Sequence, residues 1–408
     1  MNCRHCGSHL TLPLIDLGHS PPSNNYLTKE ALSQPEVYLP LRVGVCEVCW
    51  LVQTEDFAQP ESLFAADYAY FSSTSKTWLQ HAENYCAKMT NLLRLDAESF
   101  VVELASNDGY LLKNFVRAGI PCLGIEPTAA TADAARELGI DVIEEFFGCE
   151  CARKLSVAYP KADLIVGNNV YAHVPDINDF TRGIAELLCD SGTVTLEFPH
   201  LLQLIDKCQF DTIYHEHYSY LSLLAVGRVF ESAGLQIWDA EELPTHGGSL
   251  RVYGSHASQR TPKSARLIDL LEREVQSGLN SREGFCGFQE KANKIKNSFL
   301  DFLLRSRRQG KTIAAYGAAA KGNTLLNFAG VKPDLISMVV DAAAAKQGKF
   351  LPGTHIPIYE PEFLFKEPPD VVLILPWNLS GEIRGYLKPL EDHGVEIYSL
   401  HPDLVSFH

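Results

Sequence analysis

The chain has 408 residues, long for one hydrophobic core and suited to two or three domains. Its 46% apolar content argues against wholesale disorder, and a formal net charge of −15 argues against a protein built to hold nucleic acid. No run of about 18 apolar residues occurs and the opening MNCRHCGSHL lacks a signal pattern, so we expect no membrane span and a cytoplasmic location.

Residues 1–60 are short-stranded and rich in turns, punctuated by Gly7, Gly18, Pro21 and Pro22. They carry two matched pairs, Cys3-x2-Cys6 and Cys46-x2-Cys49. Thiolates at that spacing can put two sulfurs on one ion, and two such knuckles complete a tetrahedral zinc site. The long segment between the pairs suits a metal that joins two hairpins in place of a core too small to stand alone. Four thiolates leave the ion no open position, so the zinc is expected to be structural. His5, inside the first pair, is an alternative ligand. The other seven cysteines are dispersed through segments that read as helices and strands, where a thiol is a small buried hydrophobe. A reducing compartment suits that distribution better than a disulfide framework.

From 61 to 260 the pattern becomes apolar strands alternating with helical segments. FVVELAS, CLGIEP, DVIEEF, ADLIVGNN and GTVTLEFP read as buried strands, with helical runs such as YLLKNFVRAG and ATADAARELG between them. Such alternation predicts a doubly wound parallel sheet. A tract from about Lys263 to Gln309, dense in Glu, Lys, Arg and Leu, reads as one or two amphipathic helices without a heptad repeat. Then TIAAYGA, KGNTLLNFA, LISMVVD, DVVLILP and VEIYSL repeat the strand–helix plan, so 261–408 is a helical linker followed by a smaller Rossmann-like unit.

The most informative turn is VVELASNDGYLL. A strand reaches Glu103, the turn Ala105–Ser106–Asn107–Asp108–Gly109 follows, and a helix begins near Tyr110. Small residues at Ala105, Ser106 and Gly109 let backbone approach a ligand, and the next helix offers its N-terminal amides. The spacing is not that of a dinucleotide fingerprint. Glu126 lies 23 positions after Glu103, at the end of the second strand, where a carboxylate can accept from both ribose hydroxyls of an adenosine. Asn168, Asn169 and His173, after the fourth strand, border the carboxyl edge of the sheet, where ligands of such sheets bind. Each signal alone is weak, and a lone Glu at a strand end is commonly just solvated. Together and in order they favour S-adenosylmethionine (SAM) over NAD.

The densest polar run is DTIYHEHYSYLS, with Tyr214, Glu216 and His217 at its centre. Such a run is costly to bury without partners, so it is exposed, hydrogen-bonded or catalytic. A His as base, a Glu to orient or share the proton and a Tyr to stabilise an oxyanion would suit proton abstraction beside a carbonyl. A loop of satisfied polar side chains is the plainer alternative. In YGAAAKGN, Lys321 and Asn323 can meet a diphosphate at a helix N-terminus, or the turn is simply close-packed with an exposed lysine. His246 and Arg251 in THGGSLRVY are weaker substrate candidates, since that strand can simply complete the sheet.

The chain resembles the sugar C-methyltransferases of deoxysugar biosynthesis. The resemblance rests on the CxxC pairs, DYAYFSSTS, VELASNDGYLL, GIEPT, NNVYAHVPDINDF, YHEHYSYLS, THGGSLRVY and YGAAAKGNTLLN, in the family's order across almost the whole chain. It implies an α/β protein with a small zinc domain, a central Rossmann-like SAM domain and a C-terminal Rossmann-like domain that helps hold a nucleotide sugar. It also implies methylation at C3 of a TDP- or GDP-linked 4-keto sugar, with His217 as the base that removes the C3 proton. Tyr214 and Glu216 would accompany it, joined by a tyrosine of DYAYFSS, either Tyr68 or Tyr70, and Lys321 and Asn323 would lie on the diphosphate. The protein is expected to be a monomer or homodimer. Rival expectations are an O- or N-methyltransferase on a related sugar and a non-catalytic zinc-containing binding protein.

Overall fold

The computed structural model describes residues 1–57, 71–400 and a final strand, Leu404–Ser406. Three sheets organise them, and the α/β class expected from the strand–helix alternation is the one observed. The first sheet pairs the antiparallel strands Leu12–Ser20, Leu39–Val45 and Val52–Thr54. Alternation buries Leu41, Val43 and Val45 against Leu14, Ile15 and Leu17. Its fourth strand, Ser219–Tyr220, comes from the middle of the chain and pairs with Val52–Thr54. Two residues carry no readable periodicity, so no local pattern marks this strand.

The second sheet has seven strands, in the order Leu235–Leu243, Ser249–His256, Leu188–Pro199, Ala162–Asn168, Val101–Leu104, Cys122–Ile125 and Asp141–Ile143. The last five are parallel, as their unbroken apolar runs predict, and the first two close the edge antiparallel. Both faces are covered. Val102, Leu104 and Ile165 pack into one core, while Val101, Leu164 and Val166 pack on the other side against Ala82, Tyr85 and Met89 of the helix Lys76–Leu93. Strand Val101–Leu104 has its successor Cys122–Ile125 on one side and Ala162–Asn168 on the other, so the connections reverse direction beside it. That reversal opens a crevice at the carboxyl ends of these strands.

The helical tract resolves into two helices, Ala265–Gln276 and Phe288–Arg308. Between them the backbone folds so tightly that a Cβ on Gly284 would lie 2.3 Å from the Gly278 carbonyl oxygen. The third sheet runs Ile358–Tyr359, Met338–Val340, Ile313–Tyr316, Val371–Ile374, Glu396–Leu400 and Leu404–Ser406, parallel except for the last pair. Helices Ala320–Ala329 and Ser380–Asp392 flank it. Among the described residues no helix is long and apolar enough to cross a membrane.

One buried charge ties the linker helix to the centre. Glu274 is fully buried, pairs with His200 Nε2 at 2.7 Å, and accepts from the amides of Leu223 (2.6 Å) and Leu224 (2.8 Å). It thereby caps the helix Leu223–Ser232 just after the polar YHEHYSYLS segment. Glu274→Ala would strand these donors in the interior and is expected to cost about 3 kcal/mol of unfolding free energy, read from the urea midpoint.

Candidate active site

The four cysteine sulfurs of the two knuckles lie within 4.8 Å of one another. Cys3 Sγ is 3.4 Å from Cys49 Sγ, and Cys6 Sγ is 3.5 Å from Cys46 Sγ. Four sulfurs about 2.3 Å from one zinc ion would be separated by about 3.8 Å, so the cluster fits a closed tetrahedral ion. His5 is not part of this cluster, and its Nδ1 meets Asn178 Oδ1 at 2.7 Å. Arg4, between Cys3 and Cys6, carries the knuckle's rigidity outward. Its guanidinium donates to the carbonyls of Pro175 (2.8 Å) and Thr54 (3.1 Å) and lies 5.3 Å from the centre of the Tyr218 ring.

A cavity of about 630 Å³ opens at the crevice of the central sheet and extends to the C-terminal unit. On the central side its wall includes Ala105, Asn107, Glu126, Asn168 and Asn169. Ala105 (φ 56°) and Asn107 (φ 50°) are left-handed, which turns the chain sharply at the strand end. Glu126 accepts from the amides of Asn107 and Thr128, both at 2.9 Å, and this holds its carboxylate at the wall. Both polar side-chain atoms of Asn168 are buried without a protein partner. A wall with such a group, a fixed carboxylate and close backbone suits a polar adenosine-containing cofactor.

Three expected cofactor contacts lie elsewhere. Glu103 is buried beneath the turn, where burial pushes its carboxyl well above the usual range against the opposing effect of the nearby Tyr110. Ser106 packs on Gly124, where a Cβ would come within 2.4 Å of the Ser106 oxygen. Gly109 (φ 74°) admits the side chain of Ile140, since a Cβ would lie 2.4 Å from Ile140 Cδ1. These small residues serve helix–sheet packing rather than approach of a ligand. Tyr68 and Tyr70 lie outside the described residues. Just after them, the amides of Ser72 and Ser73 donate to Asn107 Oδ1 (2.9 Å) and Asp108 Oδ2 (3.0 Å), mooring that segment on the turn.

The YHEH segment forms the opposite wall, with Tyr214, Glu216 and His217 in it. The His217 ring lies 3.9 Å from that of Tyr214 and 4.7 Å from that of His173, another wall residue. His217 Nδ1 donates to the Thr212 carbonyl at 2.9 Å, which fixes the tautomer and makes Nε2 the proton acceptor. Burial, then neighbouring His173, hold this imidazole well below its ordinary value, so it is a neutral base. Glu216 accepts from Asn24 Nδ2 at 2.7 Å, and burial raises its carboxyl to about 7. His173 donates through Nδ1 to the Glu216 carbonyl at 2.8 Å, and burial lowers it to about 4. His215 turns away to the Pro40 carbonyl.

The remaining candidates divide. His246 (φ 53°) lines the cavity, accepts from Asn169 Nδ2 at 3.2 Å, and is lowered to about 4, chiefly by burial. Lys321 also lines it, donating to Asn378 Oδ1 at 3.0 Å, and burial lowers its ammonium to about 8. Arg251 does not reach the wall. Its guanidinium pairs with Glu197 (2.5 Å) and Glu241 (3.1 Å), because strand register sets it directly opposite Glu197. Burial alone would raise Glu197, but His81, Arg251 and Thr245 bring it down to about 2. Asn323 is spent on a cross-link, donating to the Ser23 carbonyl at 2.6 Å. Asn24, Trp78 and Lys346 are wall residues that sequence reasoning missed. They sit in segments without motif or periodicity, so only the folded chain reveals them.

Comparison with known proteins agrees with this layout. Residues 3–64 match a family described as "Putative zinc binding domain", 78–240 one described as "Methyltransferase domain", and 244–402 "C-methyltransferase C-terminal domain". The chain is 32% identical to C-methyltransferase NovU of Streptomyces niveus over 96% of its own length and 93% of that protein's. Among solved structures, the PH0226 protein of Pyrococcus horikoshii OT3 covers 49% of this chain and 99% of its own, at 15% identity and a TM-score of 0.38. Magnesium protoporphyrin IX methyltransferase of Synechocystis PCC 6803 with bound SAM covers 44% and 79%, at 13% and 0.34.

Two outcomes are expected from this geometry. Cys46→Ser should cut bound zinc from about one ion per chain to near none and destabilise the first sheet by several kcal/mol, read by metal analysis and thermal unfolding. Neutral burial of His173 and His246 makes stability full above about pH 6.5, and it is lost as pH falls towards about 4 while the unfolded chain takes up protons. His246→Asn, whose new side chain tolerates the left-handed backbone, should remove up to about 3 kcal/mol of that decline.

Proposed function

The chain belongs to the C-methyltransferase family, and on that premise we propose that it methylates C3 of a nucleotide-linked 4-keto deoxysugar. The observation that carries this reading is the buried, neutral His217, its Nδ1 committed to the Thr212 carbonyl and its Nε2 left as the proton acceptor in the cavity wall. A ketone at C4 acidifies the neighbouring C3–H, so a positioned imidazole can remove that proton to give an enolate. The negative charge forms on the C4 oxygen, where hydroxyl or cationic groups stabilise it. Tyr214 beside the base is the candidate for that task. Glu216, with a carboxyl near 7, can share a proton across neutral pH, and Asn24 orients it.

SAM, when bound, supplies an electrophilic methyl group for the C3 carbon. The residues proposed to hold it are the Ala105–Asn107 turn, Glu126 for the ribose hydroxyls, and Asn168 and Asn169 at the crevice. For the diphosphate of a TDP- or GDP-sugar we propose Lys321 and the N-terminus of helix Ala320–Ala329. Its cap, Ala319, provides no side-chain acceptor, so the first-turn amides are available to an anion. The zinc site, with all four positions taken by sulfur, is structural in this scheme.

His217→Asn is expected to lower turnover of the keto sugar by about a thousandfold while leaving SAM affinity, read by calorimetry, within about twofold. In deuterated water the wild-type enzyme should exchange the C3 hydrogen and the variant should not. Near-normal turnover in His217→Asn would remove it as base, and label from SAM arriving on oxygen or nitrogen would overturn carbon methylation.

A further inference from the structure

We propose that Trp377 is a positioning residue that latches the turn aiming His217, so that the C-terminal unit sets the base; the proposal rests on His217 being that base. His217 is oriented through its Nδ1 bond to the Thr212 carbonyl, in the short 3-10 turn Phe210–Thr212. Local bonds such as Thr212 Oγ1 to the Gln209 carbonyl (2.7 Å) shape that turn but do not place it in the molecule. Gln209 Nε2 donates to the Gly247 carbonyl of the central unit at 3.0 Å, and three further contacts come from the C-terminal unit. Trp377 Nε1 donates to Asp211 Oδ2 at 2.6 Å, Thr324 Oγ1 donates to the Ile213 carbonyl at 2.8 Å, and the Phe210 ring meets the edge of Phe328 at 5.6 Å.

Of these the Trp377–Asp211 bond has the most directional chemistry. Asp211 is buried beside Lys321, and a carboxylate there needs its donor. The indole ring also carries the Lys321 ammonium 4.3 Å from a ring centre, so one side chain braces the base turn and a cavity-lining cation together. Close fit supports this, since a Cβ on Gly247 would lie 2.2 Å from the indole Cη2.

The test is Trp377→Phe, which keeps a smaller ring near Lys321 and deletes the indole N–H together with the ring edge packed on Gly247. We expect kcat to fall by about tenfold to a hundredfold, with KM for SAM unchanged within about twofold. The acid limb of the kcat profile should move upward as the turn loosens and water reaches His217. Of the groups facing that ring, Tyr214, His173, Tyr220 and His246 are unchanged by the substitution, while Lys321, which also faces it, keeps a smaller ring as its partner. Asp211→Asn keeps an oxygen for the indole and should recover most of the rate lost in Asp211→Ala. These two decide the matter if Trp377→Phe fails to fold. Unchanged kcat and acid limb in Trp377→Phe, or equal rates in the two Asp211 variants, would overturn the latch. With His217→Asn inactive such a result sinks the latch alone, whereas an active His217→Asn sinks the base reading.

Discussion

Burial of a polar turn is the constraint from which the rest of the architecture follows. The segment Tyr214–Tyr220 carries two histidines, a glutamate and three tyrosines, and most of it is withdrawn from water. Each buried donor or acceptor left unmatched would cost about 1–3 kcal/mol, so partners must be brought from elsewhere in the chain. They come from the zinc module and the central unit. Thr54 donates its amide to the Tyr218 carbonyl (3.1 Å) and its hydroxyl to that of His217 (2.9 Å). Ala172 accepts from the Tyr218 amide (2.8 Å), and His173 donates to the Glu216 carbonyl. Just ahead of the segment, the Ile213 carbonyl accepts from Thr324 on the helix Ala320–Ala329 that flanks the third sheet.

The zinc module is thus more than an N-terminal appendage. Its last strand pairs with Ser219–Tyr220, and Arg4 ties its first knuckle to Pro175 and Tyr218. A sheet this small has little core of its own, and four thiolates on one ion supply the rigidity that burial alone cannot. The central sheet adds strain at chosen points. Ala105, Asn107, Asn169 and His246 are all left-handed and all line the cavity, a clustering expected where geometry serves chemistry. The Glu197–Arg251–His81 group beneath them holds Thr245 (2.9 Å) and with it the turn that carries His246.

Much of this was legible in the sequence, for physical reasons. Matched CxxC pairs have few other uses, and Val-rich runs between helical segments almost force a parallel sheet. Glu126, Asn168 and Asn169 follow from where strands end. What the sequence hides is register and long-range approach. Arg251 looks like a ligand contact until its strand partner proves to be Glu197, and Asn323 until Ser23 arrives beside it. Gly109 invites a ligand in one dimension and in three admits Ile140. Asn24 and Trp377 sit in irregular segments where nothing local marks them, although both touch the site. Helix Ser380–Asp392 contains Pro389, a residue that usually signals a break.

The central claim is that the metal module holds the catalytic turn in place. Amide hydrogen exchange before and after zinc extraction from the intact protein tests it most directly. The account predicts that Thr54, His217 and Tyr218 lose protection on extraction while Ile313–Tyr316 and Val371–Ile374 of the third sheet stay slow. Unchanged protection at all three amides after the metal has gone would contradict it.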